Sequence, residues 1–450
     1  MTKMVHYTAT TNACKLCRPL GAALAFRGIE GCVPFLHGSQ GCATYMRRYI
    51  ISHFNEPIDI ASSSLGEKHA VYGGGPNLKL GLNNVTAKYH PSLIGVASTC
   101  LTETIGDDVP MLLEEYKAEF GTAETPEIVH VSTPSYSGTH MEGFNGAVKS
   151  AVEQLAEPAE PNNRVNIFSG FISAEDIRHL KHIMNLFETP FTLMPDYSET
   201  LDGVALIEYP LIPKGGTPLQ DIAQMSGATG SIECGHTLPD ETAGTFLETQ
   251  YGVKRSQVGL PIGIKETDRF VEKLKEITGR ELPREMQESR GRLIDAMVDG
   301  HKYIFGKRAI VYGEEDLVIG LTSFLSEIGI KPVLCATGGK SGKFETSIRQ
   351  ILELVDSEIP VIKDGVDFFD IEEIATSLNV DMLIGHSKGY TFSRKSNIPL
   401  IRVGFPIHDR VGGQRILHVG YHGAQQLFDT ITNTVIQHKQ DQSSVGYSYM

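Results

Sequence analysis

Several segments of this chain repeat one pattern: an unbroken aliphatic run, a turn holding Gly or Ser, then an amphipathic helix. SLIGVASTC (92–100) precedes TETIGDDVPMLLEEYKAEF, and RVNIFSGF (164–171) precedes ISAEDIRHLKHIMNLF. KRAIVYGEEDLVIGLTSFLSEIGIKPVLCATGG (307–339) reads strand, turn, helix, strand, while VDMLIGHSKGY (380–390) and NIPLIRVGFP (397–406) add further buried strands. Strands that are apolar throughout, rather than at alternate positions, belong to parallel sheets covered on both faces. The fold class is therefore α/β, with parallel sheets flanked by helices. Such sheets bind ligands beyond the carboxyl ends of their strands, where Cys100, Gly170, Gly313 and Gly385 fall.

At 450 residues the chain has about three domain lengths. Two polar stretches mark boundaries: AEPAEPNNR (156–164), and the highly charged GRELPREMQESRGR (279–292). They divide the chain into domains 1–160, 161–300 and 301–420. The tail 420–450 reads as a last helix that returns to the first domain. The 41% apolar and 21% charged content suits several ordinary cores. No stretch approaches the roughly 18–20 apolar residues of a membrane span, and the N-terminus has no apolar leader core. A cytoplasmic protein is expected. The formal net charge of −14, from 40 basic and 54 acidic residues, repels phosphate backbones and anionic membranes. It leaves a polar or basic protein partner, or plain solubility, as its use.

Five of the seven cysteines (Cys14, Cys17, Cys32, Cys42 and Cys100) fall in the first 100 residues. Cytosolic thiols are kept reduced, which argues against a disulfide framework. Cys234 and Cys335 stand apart and read as small buried hydrophobes. Cys17 in CRPLGAALAF, Cys42 in HGSQGC and Cys100 in ASTC lie in contexts that suit an iron–sulfur cluster, which needs thiolates on closely approaching, N–H-bearing backbone. Gly38 and Gly41 place Cys42 in a glycine-rich loop, Pro19 and Gly21 tighten the turn after Cys17, and Cys100 closes a strand. The spacings of 25 and 58 residues match no compact zinc or ferredoxin motif. From spacing alone, scattered buried thiols remain an equal reading. Cys14 and Cys17 also form a C-x-x-C, a metal or redox signal.

His37, just ahead of the glycine-rich loop, reads as a structural histidine bonded to backbone. Arg47 and Arg48 either offset the charge of a cluster or form an ordinary solvated face. KGGTPLQDI (214–222) and RVGGQRIL (410–417) do not fit a phosphate loop, and VYGGGPNL (71–78) lacks the flanks of a dinucleotide site. There is no G-x-S-x-G elbow and no H-E-x-x-H helix. Nucleotide binding and hydrolysis have no support, and no residue is assigned a catalytic role.

Taken together, CRPLGAALAFRGIEGCVPFLHGSQGC, ASTCLTETIGDD and STPSYSGTH closely resemble the β-type subunits of the nitrogenase component 1 family, over nearly the whole chain. The resemblance implies three Rossmann-like domains and an α2β2 heterotetramer with a related α-type partner. It implies that an iron–sulfur cluster at the α/β interface is held by Cys17, Cys42 and Cys100, with Ser135 as a further ligand when the cluster is oxidised. The cluster is either four-iron (4Fe–4S) or P-cluster-like (8Fe–7S), and is shared with the partner. Within the family the chain looks most like the N subunit of the scaffold that matures the iron–molybdenum cofactor, on the segments EYPLIPKGGTPLQDI, RVGFPIHDRVGGQRILHVGYHGAQQLF and the terminal VGYSYM. The implied partners are then an α-type scaffold subunit, the nitrogenase iron protein and a donor of cofactor precursor, and the chain has no independent activity. One departure favours the alternative, a catalytic β subunit of a nitrogenase or nitrogenase-like reductase. Some scaffold N subunits keep only the cysteine of H-G-S-Q-G-C, whereas this chain has all three cysteines and Ser135.

Overall fold

In the computed structural model, which describes residues 12–122, 125–136, 138–354 and 357–446, the apolar runs form three parallel sheets. The first is ordered β2-β1-β3-β4, from β1 (Cys32–His37), β2 (Ala61–Ser62), β3 (Leu93–Ser98) and β4 (Glu127–Val131). The second is ordered β6-β5-β7-β8, from β5 (Val165–Phe168), β6 (Phe191–Met194), β7 (Gly230–Cys234) and β8 (Arg255–Val258). The third is ordered β11-β10-β9-β12-β13, from β9 (Arg308–Gly313), β10 (Lys331–Thr337), β11 (Val361–Lys363), β12 (Met382–Gly385) and β13 (Leu400–Arg402). β1, β3 and β7 are buried at every residue, as strands covered on both faces must be. Each fully buried Leu, Ile or Phe there contributes roughly 1.5–3 kcal/mol of transfer free energy.

The charged stretch 279–292 lies between the second sheet and the third, and from Arg284 onward it is the first half of the helix Arg284–Ile304. Arg284 and Arg292 both pair with Glu288 at helical spacing, and Pro283 caps the start, so local ion pairs and good helix formers prevail over the polar composition. The tail helix Gly420–Asp441 makes its main contacts away from the first domain, to which it was expected to return. It packs on Arg284–Ile304 and on the helix Gly263–Thr278. Gly300 makes that contact close: a Cβ there would lie 2.5 Å from the Phe428 ring. Residues 447–450 of the terminal VGYSYM lie outside the described residues.

The stretch 156–164 is irregular and runs into β5, and Cys234 and Cys335 are buried in strands. Among the described residues no helix is long and apolar enough to cross a membrane.

Candidate functional site

β1, β3 and β4 lie side by side in register, with His37 opposite Ser98 and Ala97 opposite Val131. Each therefore delivers the next segment of chain to the same sheet edge. β1 leads to Cys42, β3 to Cys100, and β4 to Ser135. Cys42 is not in a loop but in the first turn of the helix Gln40–Phe54, and Cys100 is the first residue of the short helix Cys100–Ile105 rather than the end of a strand. Thr99 and Thr102 form the capping box that starts that helix, and both hydroxyls donate to the His37 carbonyl, tying β1 to β3 just below the thiols.

Cys17 arrives by another route, as N-cap of the helix Arg18–Arg27 with Pro19 in its first turn. That helix lies directly on the helix His140–Leu155. Gly21 is a helix-contact residue rather than a turn residue: a Cβ there would lie 1.7 Å from the His140 carbonyl oxygen. Gly143 is its counterpart, and a Cβ there would lie 1.9 Å from the Arg18 carbonyl oxygen. Backbone thus touches backbone, and Cys17 is brought to the loop that carries Ser135.

The contacts close the constellation. The Ser135 N–H donates to Cys100 Sγ at 3.1 Å, and Ser135 Oγ accepts from the Arg18 N–H at 3.1 Å. Ser39 Oγ donates to Cys42 Sγ at 3.5 Å. Burial raises the Cys17 thiol pKa above its ordinary value. A hydrogen bond with Ser135 opposes this shift, while the charges of Cys100 and Cys42 reinforce it. All three cysteines are free, with Cys100 exposed and Cys17 and Cys42 half-buried. Cys17 is the N-cap of its helix, and Cys42 and Cys100 lie in the first turns of theirs.

Among the described residues no three His, Cys, Asp or Glu side chains converge on a single ion. The donor set fits a cluster instead, because its irons are separated by sulfides and its thiolates need not meet at one point. Beside the thiols, Tyr136 is 69% exposed, and Val71 and Tyr72, on the short helix packed against Cys100–Ile105, are 78% and 84% exposed.

Other residues singled out in the sequence fall elsewhere. His37 is buried between Ser63 Oγ at 2.9 Å and Asp107 at 3.1 Å; it is structural, but holds side chains with its ring and hydroxyls with its carbonyl. Arg47 donates to the Ile58 carbonyl and pairs with Asp59. Arg48 lines an open groove with Tyr49 and Lys388. Cys14 does not share the Cys17 site. It is buried against the third sheet, 3.9 Å from His386 Nε2, with its pKa raised by burial. Sequence reasoning missed Ser39, whose hydroxyl meets Cys42 rather than capping its helix, and it missed Thr99 and Thr102, although a Thr followed three residues later by a second hydroxyl at a helix start is a readable capping pattern. It also missed Glu103, which accepts from Ser98 and Ser132 beneath Cys100.

A three-sheet parallel α/β chain with three reduced thiols and a serine at the carboxyl edge of its first sheet defines a narrow class. The nitrogenase component 1 type oxidoreductase family matches residues 17–436, and this chain belongs to that family, among its β-type chains. It is 37% identical over 426 residues to the nitrogenase molybdenum-iron protein beta chain of Clostridium pasteurianum, covering 94% of this chain and 93% of that one. It is 35% identical to the nitrogenase vanadium-iron protein beta chain of Trichormus variabilis, covering 93% and 92%. A solved structure, "Nitrogenase Cp1 at pH 6.5", superposes with a TM-score of 0.96 at 34% identity over 100% of this chain and 98% of that one. A second chain, from "Nitrogenase Cp1 at pH 5", shares the fold alone, with a TM-score of 0.71 at 15% identity.

Proposed function

We propose that this chain is the β subunit of a catalytic nitrogenase component 1 and that, with an α-type partner in an α2β2 complex, it holds an iron–sulfur cluster that relays electrons from the iron protein. The observation that carries this reading is the gathering of Cys17, Cys42, Cys100 and Ser135 at one open sheet edge, in a chain 37% identical to a molybdenum-iron protein beta chain. Cys17, Cys42 and Cys100 supply thiolates, and Ser135 supplies both an N–H donor to the Cys100 sulfur and a hydroxyl near Cys17. The cluster supplies electron storage and relay. The protein supplies the helix ends that favour negative charge, and a floor of buried, hydrogen-bonded side chains beneath it, Ser98, Thr99 and Thr102. Cys100 and the apolar Tyr136, Val71 and Tyr72 face outward, which suits completion of the site by a second chain.

Support has moved from the scaffold reading to the catalytic one, because the similar chains are beta chains of molybdenum-iron and vanadium-iron proteins. A cytoplasmic location accords with either. The complex, purified without oxygen together with its α-type partner, is to be assayed for acetylene reduction with iron protein and reductant. Ethylene formed well above background is the expected result. An iron-loaded complex that accepts a cofactor precursor but does not turn over would restore the scaffold reading.

A further inference from the structure

Where the three sheets meet, the loops enclose a small chamber of about 30 Å³. Each part of the chain gives it a polar wall: His53 from the first domain, Asp176 from the second, Glu314 from the third, and His418 from just before the tail helix. About 10–15 Å³ of such space admits one water molecule, so the chamber has room for at least one.

The hydrogen bonds already made fix what each wall group has left to offer. Asp176 Oδ2 meets His418 Nδ1 at 2.8 Å, and Asp176 Oδ1 accepts from the His418 and Val419 N–H groups at 2.7 and 3.0 Å. Burial alone would raise the Asp176 pKa, but His418 and these donors outweigh it and hold the carboxyl below its usual range. His418 Nε2, on a side chain 6% exposed, meets no protein group among the described residues. Glu314 Oε1 accepts from His140 Nε2 at 3.2 Å, and its other oxygen lies against Gly404 on the chamber wall, 3.1 Å from where a Cβ on that glycine would stand. His53 Nδ1 accepts from the Ile407 N–H at 2.9 Å, so a neutral His53 carries its proton on Nε2 and can only donate from there.

The residues that line the chamber thus carry an unmatched imidazole nitrogen, a carboxylate oxygen with capacity to accept, and an imidazole with a proton to give. An unmatched buried polar atom costs roughly 1–3 kcal/mol. We propose that the chamber is a binding site for structural water, which donates to Glu314 Oε2, bonds His418 Nε2 and accepts from His53. Water serves His418 in either of its protonation states, because it can donate or accept. A metal ion does not suit the site, where no three ligands converge among the described residues. The bound water links three domains through one molecule. Through Glu314 and His140 the link reaches the Leu16 N–H, 3.4 Å from His140 Nδ1 and one residue from Cys17.

The test is a high-resolution crystal structure of the intact complex. The expected result is a fully occupied water roughly 2.7–3.2 Å from both His418 Nε2 and Glu314 Oε2. A dry chamber in a map that resolves other internal waters would overturn the proposal, and so would a direct His418–Glu314 contact that leaves no gap. In His418→Phe the water is expected to vanish and the thermal midpoint to fall by roughly 2–6 °C. His418→Gln, which keeps a polar end at that reach, is expected to retain the water. A His418→Phe complex with the parent's water peak and midpoint would also overturn the proposal.

Discussion

Two places in this molecule obey the same rule of α/β architecture and put it to opposite uses. At the edge of the first sheet, strand ends carry thiols and helix N-termini outward, and Cys100 is exposed. At the junction of the three sheets, the residues after β9 and those before the tail helix turn inward, and Asp176, Glu314, His53 and His418 are buried and largely paired with one another or with backbone. The first place is unfinished without something added from outside. The second is finished from within, apart from one small chamber. A parallel sheet edge is therefore not a site by default; what matters is whether the loops beyond it leave it open or close over it.

The contrast can be broken most severely at the closed place. Asp176→Ala strands His418 and three backbone N–H groups, those of Ser173, His418 and Val419, and removing one partner of a buried pair costs about 3–5 kcal/mol. Chemical denaturation of the apo chain is expected to show a loss of that size, and a loss under about 1 kcal/mol would mean the junction is not what holds the domains together. Gly143→Ala comes next, at about 3 kcal/mol or more, because the new methyl meets the Arg18 carbonyl and neither helix can give way alone. The same variant is expected to lower iron content by displacing Cys17, read by metal analysis alongside the melt.

Acid is the third probe. Burial lowers the His53 pKa from 6.5 to about 3 in the folded chain. Between those values the unfolded chain binds the extra proton, so stability rises with pH through that window and falls as pH drops below 6.5. The slope is at most about 1.4 kcal/mol per pH unit for this one group. Burial lowers the His386 pKa to about 4, which adds to the effect in the same direction. Asp176, depressed below 3.8, contributes stability that is present above that value and is lost only in stronger acid. Thermal midpoints that stay flat from pH 6.5 to 5 would contradict this.

The smallest change in folding is expected at the open place. Cys42→Ala is predicted to shift stability by no more than about 0.5 kcal/mol in the apo chain, yet to reduce iron per complex and remove the cluster's EPR signal. Cys14→Ala is predicted to leave both intact. Unchanged iron in Cys42→Ala would remove that residue from the ligand set.

Much of the open edge could be read in the sequence, because its residues lie in short local motifs. H-G-S-Q-G-C and A-S-T-C each follow a strand, and parallel pairing of β1 with β3 then brings Cys42 and Cys100 together. The place of Cys14 stayed open for the opposite reason. C-x-x-C implies a shared site only if the backbone turns between the two residues. Here Ala13 bridges Asp367 and Leu16 pairs with His140, so the two thiols are held against different neighbours. The closed junction could not be read at all. Asp176 and His418 are 242 residues apart, and Glu314 and His140 are 174 apart. Nothing local marks an acid that will be buried against a histidine so far along the chain. The tail helix failed in the same way, since its apolar stripe shows that it packs but not on what.

The crossing of Gly21 and Gly143 has a consequence beyond fit. With main chain resting on main chain, no side chain is left there to act as a cushion, so the helix that starts at Cys17 and the helix that comes after Ser135 travel as one rigid bracket. The gap between that sulfur and that hydroxyl is then a single mechanical dimension, and loops on either side can lengthen, shorten or change composition without altering it.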